Sequence, residues 1–409
     1  MRNVVLVVVF ALYAALAPDS FINADATLYA EQIREANFAE RTTHLGYYLF
    51  AYPATFLPLK LDHALNLLNC ALGAGVVALV SLIGEAVAKS RHAGYVAGAI
   101  AFANQGLAYN ALHAEAYAGQ TFFLLLGVYL WLRRRNMAAG VCIAVSFLFS
   151  ASTVFAAPFF LVTRLRVKPL LQLAAAGAAV VALALVPVWH NYLFGARGLL
   201  GAADNPVSLT LAFLKTGQDG FYGCYALIPF FLAGLYVTRR WRFTWAVAAT
   251  GAAVFLFGEK FMDVPVQLPT WMLSCVIAAV GVGAVRWPFA AAAFAVLIPV
   301  LAVYPFVPAR IADHLPSAPV IAAYCGAVAL VAVFRAKAFA VALSLNLALI
   351  AHSALQVRQS LAEFAMKADS IVPADWNERV RRNWIVCGSA HCKWQDDKHR
   401  KAVKPNAPQ

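Results

Sequence analysis

The residues best suited to chemistry in this chain are carboxylates. Between Asp19 and Glu40 stand five of the 19 acidic residues, Asp19, Asp25, Glu31, Glu35 and Glu40, in the longest polar interruption before residue 189. A further carboxylate stands in His113-Ala114-Glu115-Ala116-Tyr117, a tight polar turn between apolar runs. Asp25 is placed to lie near a headgroup plane and, as a general base, to take a proton from an attacking hydroxyl. The plainer alternative is that it caps the helix that follows, and the sequence leaves both open. Glu115 has the same two readings. Together Asp25 and Glu115 are suited to clamping an acceptor or holding a divalent ion through oxygen ligands. Metal use stays undecided, because no dense Cys/His/carboxylate cluster accompanies them. His44 and His113 are hydrogen-bonding candidates, with ordinary interfacial histidines as the alternative.

The elements that must position these groups are membrane helices. The chain is 62% hydrophobic and 12% charged, with mean hydropathy +0.71, where a soluble domain carries roughly 25% charge. Apolar runs cover 3–17, 63–85, 93–110, 117–132, 138–149, 153–163, 170–188, 224–238, 243–257, 268–284, 288–304, 317–334 and 338–355. The expected fold is an all-α polytopic bundle of about 13 transmembrane helices, domain 1–355, with a small tail over 356–409. Residues 2–17 have the look of a signal peptide ending in Ala15-Leu16-Ala17, but Pro18 obstructs cleavage and a retained first helix is expected.

Charge sets the topology. With the N-terminus inside, 15 basic residues fall in the short cytoplasmic turns and seven in the much longer outer loops, a strong positive-inside bias. Of the 13 acids before the tail, 12 fall outside and only Glu85 inside. The net charge of +13 therefore reads as topology signal and headgroup contact, not as a nucleic-acid surface. A bacterial inner membrane is the expected location, with the tail outside.

Within the first outer loop, 18–62, residues 26–39 put Ala26, Tyr29, Ala30, Ile33 and Ala36 on one helical face, and Thr27, Glu31, Arg34 and Glu35 on the other. That pattern predicts a helix lying in the membrane interface. The aromatic stretch 45–59, broken by Pro53 and Pro58, is expected to dip into the bilayer edge. Cys70, Cys142, Cys224, Cys275 and Cys325 fall in apolar segments and read as packing residues. Cys387 and Cys392 lie in the tail, where an outside location favours a disulfide over a zinc site that would need two more ligands.

The run ADATLYAEQIREAN resembles the first-loop signature of the GT-C glycosyltransferases, in the branch of protein O-mannosyltransferases and aminoarabinose transferases. THLGYYLFAYP resembles that family's His/Pro/Tyr run, HAEAYAGQTFFLLLGVYLWLRR its acidic-Tyr motif, and FLFSASTVFAAPFFL its pair of brief helices. FMDVPVQLPTWML resembles a later outer loop that re-enters the membrane. The likeness covers residues 1–165 well and the remainder thinly. Two departures are Ala26 after Asp25, in place of a second acid, and Leu45-Gly46 in place of Pro-Pro.

The resemblance implies inverting sugar transfer from a polyprenyl-phosphate donor, with Asp25 as base; Glu115, from its place in the tight polar turn, is taken as the second catalytic carboxylate. His44, Tyr47, His113 and Tyr117 would line the substrate. Released phosphate needs positive charge, for which the outer basic residues Arg34, Arg41, Arg197, Lys215, Lys260 and Arg310 are candidates, Arg34, Arg197 and Lys260 foremost. The acceptor class, protein, lipid or polysaccharide, is left open. The competing class is a multi-pass transporter or lipid flippase, against which stand the lack of an internal repeat and the gathering of carboxylates at one surface. A third reading is a substrate-binding relative without activity.

Overall fold

The computed structural model describes residues 2–18, 24–36, 38, 44–186, 188, 227–257, 264–303 and 318–371. Every element among them is helical, as a chain that must satisfy its backbone without water requires. The chain opens with α1 (Arg2–Leu16), α2 (Ala24–Arg34) and α3 (Leu45–Ala51), the last running into a 3-10 turn over Tyr52–Phe56. Then come α4 (Leu61–Ala88), α5 (Arg91–Phe102), α6 (Gln105–Leu112), α7 (Ala116–Leu132) and α8 (Asn136–Phe149). A 3-10 turn over Ala151–Ala156 leads into α9 (Ala157–Thr163) and α10 (Val167–Leu185). The second half comprises α11 (Ile228–Thr238), α12 (Arg242–Phe257), α13 (Val264–Gly281), α14 (Trp287–Val303), α15 (Ala318–Phe334) and α16 (Phe339–Ile371).

The bundle is arranged around α4, 28 residues long and so about 42 Å from end to end. Helices α1, α5, α6, α7 and α13 all pack on it. Around them α8 packs on α7 and α10, α12 on α9, and α11 on α13, α14 and α15. Three runs among the described residues are individually long and apolar enough to cross a membrane, Leu61–Ala88, Val167–Leu185 and Cys325–Gln356. Six shorter apolar helices accompany them. No residue of α10 is buried, so this helix presents itself to the outside of the bundle.

Several boundaries differ from the hydropathy reading, each for a local reason. The segment read as one helix over 93–110 is two, because the Asn104 side chain accepts from the Leu107 amide at 2.9 Å and starts α6 afresh. The break expected between 149 and 153 is present. There Ser150 turns the chain, and the Gln120 amide donates to Ser152 Oγ at 2.7 Å and Thr153 Oγ1 at 3.1 Å, tying the turn to α7. Val-Pro-Val-Gln-Leu-Pro, read as part of a re-entrant loop, is the first part of α13, with Pro269 inside the helix. Pro169 and Pro229 sit in the first turns of α10 and α11, where a missing N–H costs nothing. Helix α16 continues past residue 355 to Ile371.

In α2 the predicted face is buried at Ala26, Tyr29, Ala30 and Ile33, but Ala36 is exposed with φ 52° and lies beyond the helix. That face packs against protein: the α2 residues share one apolar cluster with Tyr47, Tyr48, Ala51, Leu65, Ala114, Ala116 and Phe149. Cys70 and Cys275 are buried and Cys142 and Cys325 half-buried, all as thiols. Cys224, Cys387 and Cys392 lie outside the described residues.

Candidate functional site

At one end of the bundle the first loop returns onto the turn between α6 and α7. Asp25 is the second residue of α2, in its first turn. The next residue, Ala26, is fully buried in the cluster that also contains Ala114 and Ala116, the two neighbours of Glu115. The helix carrying Asp25 and the turn carrying Glu115 are therefore packed into one unit, though 90 residues separate them in sequence.

Two asparagines of α4 hold that unit in place. Asn66 donates to the Pro18 carbonyl at 2.9 Å, and its own side-chain oxygen accepts from the Ala114 amide at 2.9 Å. Asn69, one helical turn further, directs its NH2 at the carbonyls of Glu115 (2.7 Å), His113 (2.8 Å) and Asn110 (3.2 Å). Three carbonyls can only be met by a donor, so this amide orientation is forced. Both asparagines are fully buried. Arg358 of α16 adds a guanidinium hydrogen bond to the Ala17 carbonyl, so the exit of α1 is gripped from two sides. None of these residues was assigned to the site from sequence. A signal was available in the spacing of Asn66 and Asn69, which puts two amides on one face of a membrane helix.

Glu115 is the N-cap of α7, immediately before its first residue, is buried, and accepts from the Ala116 amide at 3.1 Å. The capping alternative is present in the structure, and the carboxylate also lies beside Tyr47. Burial first, then the negative charge of Glu115, then Tyr48, hold the Tyr47 phenol well above its ordinary value. The Tyr47 hydroxyl is fully buried and has no hydrogen-bond partner among the described residues.

Around Tyr47 the rings form a wall. Tyr29 lies 5.3 Å from Tyr47, 5.5 Å from His44 and 5.8 Å from Tyr48, and His44 lies 5.8 Å from Tyr117. His44 stands 2.6 Å from the Phe149 carbonyl through Nδ1. A carbonyl only accepts, so Nδ1 carries the proton. Phe149 closes the wall from behind and accounts for the glycine at position 46. A Cβ on Gly46 would come within 2.7 Å of the Phe149 ring, and one on Gly119 of α7 within 2.1 Å. Glycine at both positions is what lets α3, α7 and α8 converge on that ring.

The other sequence candidates divide. His44, Tyr47 and Tyr117 join Glu115 in this wall. His113 belongs to the same turn but is sealed, with its ring 4.3 Å from Tyr109. Burial drives its pKa down to about 3, opposed only by the Tyr109 carbonyl, so it is a neutral packing residue at physiological pH. Arg34 is exposed at the end of α2. Arg41, Arg197, Lys215, Lys260 and Arg310 lie outside the described residues, as does the loop 189–223. Among the described residues no group of three or more His, Cys, Asp or Glu is assembled.

No protein-family model matches the sequence, and no curated protein sequence does. Solved structures of a membrane protein share the fold. ArnT from Cupriavidus metallidurans bound to undecaprenyl phosphate superposes with TM-score 0.57 at 12% identity, covering 94% of this chain and 84% of that one. The same protein in the apo state gives TM-score 0.55 at 12% identity, over 94% and 83%. At that identity the likeness is one of fold alone: the chain has a helical architecture like that of ArnT.

Proposed function

We propose that this protein is an integral membrane glycosyltransferase that moves a sugar from a polyprenyl-phosphate donor to an acceptor hydroxyl, with inversion, at the outer face of the bilayer. The observation carrying this reading is the convergence of two carboxylate-bearing elements, α2 and the α6–α7 turn, within a fold shared over nearly the whole chain with an undecaprenyl-phosphate-binding protein. In the step proposed, Asp25 takes the acceptor proton while the acceptor oxygen bonds to the anomeric carbon from the side opposite the phosphate. The bond from carbon to phosphate oxygen breaks, and its electron pair leaves with the polyprenyl phosphate. Such a leaving group needs positive charge, not a strong acid. Arg34, Arg197 and Lys260 are the proposed sources.

Glu115 and the Tyr47 hydroxyl are proposed to orient the acceptor, and the wall of Tyr29, His44 and Tyr117 to face the sugar. A divalent ion between Asp25 and Glu115 would find two oxygen ligands and take the rest from water or phosphate. About 13 crossings, α2 at the interface, the N-terminus inside and the tail outside complete the reading, with a disulfide between Cys387 and Cys392. The positive-inside bias supports that orientation.

The test is sugar transfer from a radiolabelled polyprenyl-phosphate-sugar pool in membranes, comparing the parent with Asp25→Asn. Asparagine keeps size and polarity but cannot act as a base at neutral pH. Loss of transfer in a variant that accumulates normally supports the assignment. Undiminished transfer moves the base to Glu115. No transfer by the parent from any donor favours the transporter class.

A further inference from the structure

The site above occupies one end of the bundle. At the opposite end, α7 stops at Arg133-Arg134-Arg135 and turns into α8, while α9 and α10 are joined through Arg164, Arg166 and Lys168. No Asp or Glu occurs between Ala116 and Val186, so six positive charges sit in two turns with no carboxylate on any of these four helices. Elsewhere at this end Glu85 stands 3.9 Å from Arg91, and Arg239, Arg240 and Arg242 lie between α11 and the start of α12, with Arg239 stacked 4.3 Å over the Tyr236 ring of its own helix and Arg240 and Arg242 exposed.

The two turns are locked together. Arg164 donates to Asn136 Oδ1 at 3.2 Å, and Asn136 donates in turn to Gln172 of α10 at 2.8 Å. The Arg164 guanidinium lies 5.5 Å over the Trp131 ring, whose Nε1 donates to Thr163 at 2.9 Å. Four helices thus fix one half-buried arginine, and the other five charges are exposed around it. Solvated topology charges need no such scaffold, and a prebuilt site binds with less ordering cost.

The surface next to this charge is apolar and open sideways. Met137, Leu161, Leu165, Val167 and Leu171 are 47–76% exposed, and α10 has no buried residue. A soluble polyanion would use the charges and leave that surface bare. An amphiphile uses both.

We propose that these two turns form a binding site for a phospholipid whose headgroup carries two phosphates, of the diphosphatidylglycerol kind. One phosphate lies against Arg133 and Arg135, the other against Arg166 and Lys168, with Arg164 between them and the acyl chains along α8 and α10. The proposal is independent of the reaction assigned to the other end.

The test is native mass spectrometry of the full-length protein in detergent. Bound diphosphatidylglycerol, phosphatidylglycerol and phosphatidylethanolamine are measured for the parent, R133Q/R135Q, R166Q/K168Q and, as a control of equal charge change, R240Q/R242Q. Each of the first two variants should retain the two-phosphate lipid about 10- to 30-fold less well, with the control like the parent. Phosphatidylglycerol at matched charge should bind far more weakly. Equal loss in the control, no loss in either site variant, or equal retention of phosphatidylglycerol would each overturn the site. Raising salt on the parent gives a second reading that needs no variant: retention that does not fall overturns it too.

Discussion

Asn69→Leu should uncouple the Glu115 turn from α4. Leucine has the branching of asparagine, with bulkier methyl groups in place of the amide oxygen and nitrogen, and is at home in an apolar helix, so the change removes the hydrogen bonds and adds some crowding. The amide has two hydrogens, and the bonds to Glu115 (2.7 Å) and His113 (2.8 Å) take them, leaving the 3.2 Å contact to Asn110 as a shared one. Each bond contributes about 0.5–1.5 kcal/mol, and a buried carbonyl left unpaired costs about 1–3 kcal/mol. Membrane-embedded bonds lie toward the low end. The expected loss is about 2–3 kcal/mol, read as lowered resistance to thermal unfolding in detergent. Transfer should fall further, on the order of 100-fold, because a displacement near 1 Å at a reacting group has that scale. The discriminating measurement is a double-mutant cycle with Glu115→Gln: a residue acting through Glu115 gives transfer losses that do not add. Unfolding and transfer both like the parent, or strictly additive losses, would refute the assignment.

Gly119→Ala places a methyl carbon 2.1 Å from the Phe149 ring and should cost about 1–3 kcal/mol; thermal unfolding measures it, and Phe149→Leu in the same chain should recover part of the loss. Tyr47→Phe deletes a buried hydroxyl without a partner among the described residues, so stability should hold or rise by about 1 kcal/mol while transfer falls if that hydroxyl faces substrate. His113, held near pKa 3 against 6.5, binds its proton more readily unfolded than folded. Its sign is therefore destabilising as pH falls from about 6.5 toward 3, by about 1.4 kcal/mol per unit, and His113→Gln should flatten that part of the stability–pH curve.

The membrane class, the helical segments and the carboxylate-bearing first loop were all legible in the sequence, because apolar runs and their charged punctuation are local signals. The face of α2 was legible for the same reason, through the spacing of Ala26, Tyr29, Ala30 and Ile33. Sequence reading failed where a side chain cut a continuous apolar run. Asn104 ended one helix and began another without altering the hydropathy. The start of α13 also differed: the apolar run was read from 268, but the helix begins at Val264 and takes in Pro265 and Pro269 in its opening turns.

By itself, then, the chain's composition and periodicity determined an all-helical membrane bundle and a short set of polar residues able to do chemistry. Which of those residues meet was decided only by tertiary packing. His44 and Tyr117 share one wall because Tyr29 stands within 6 Å of His44 and Gly46 and Gly119 admit Phe149 behind it. His113 and Glu115, two residues apart and indistinguishable in a polar turn, parted company: one ring is sealed and neutral, while the neighbouring carboxylate lies against Tyr47. Asn66 and Asn69 acquired their part only when Pro18 and residues 113–115 arrived beside α4. Hydrogen bonds between residues 40 or more apart leave no periodic trace in a sequence, so their partners become visible only in the folded chain.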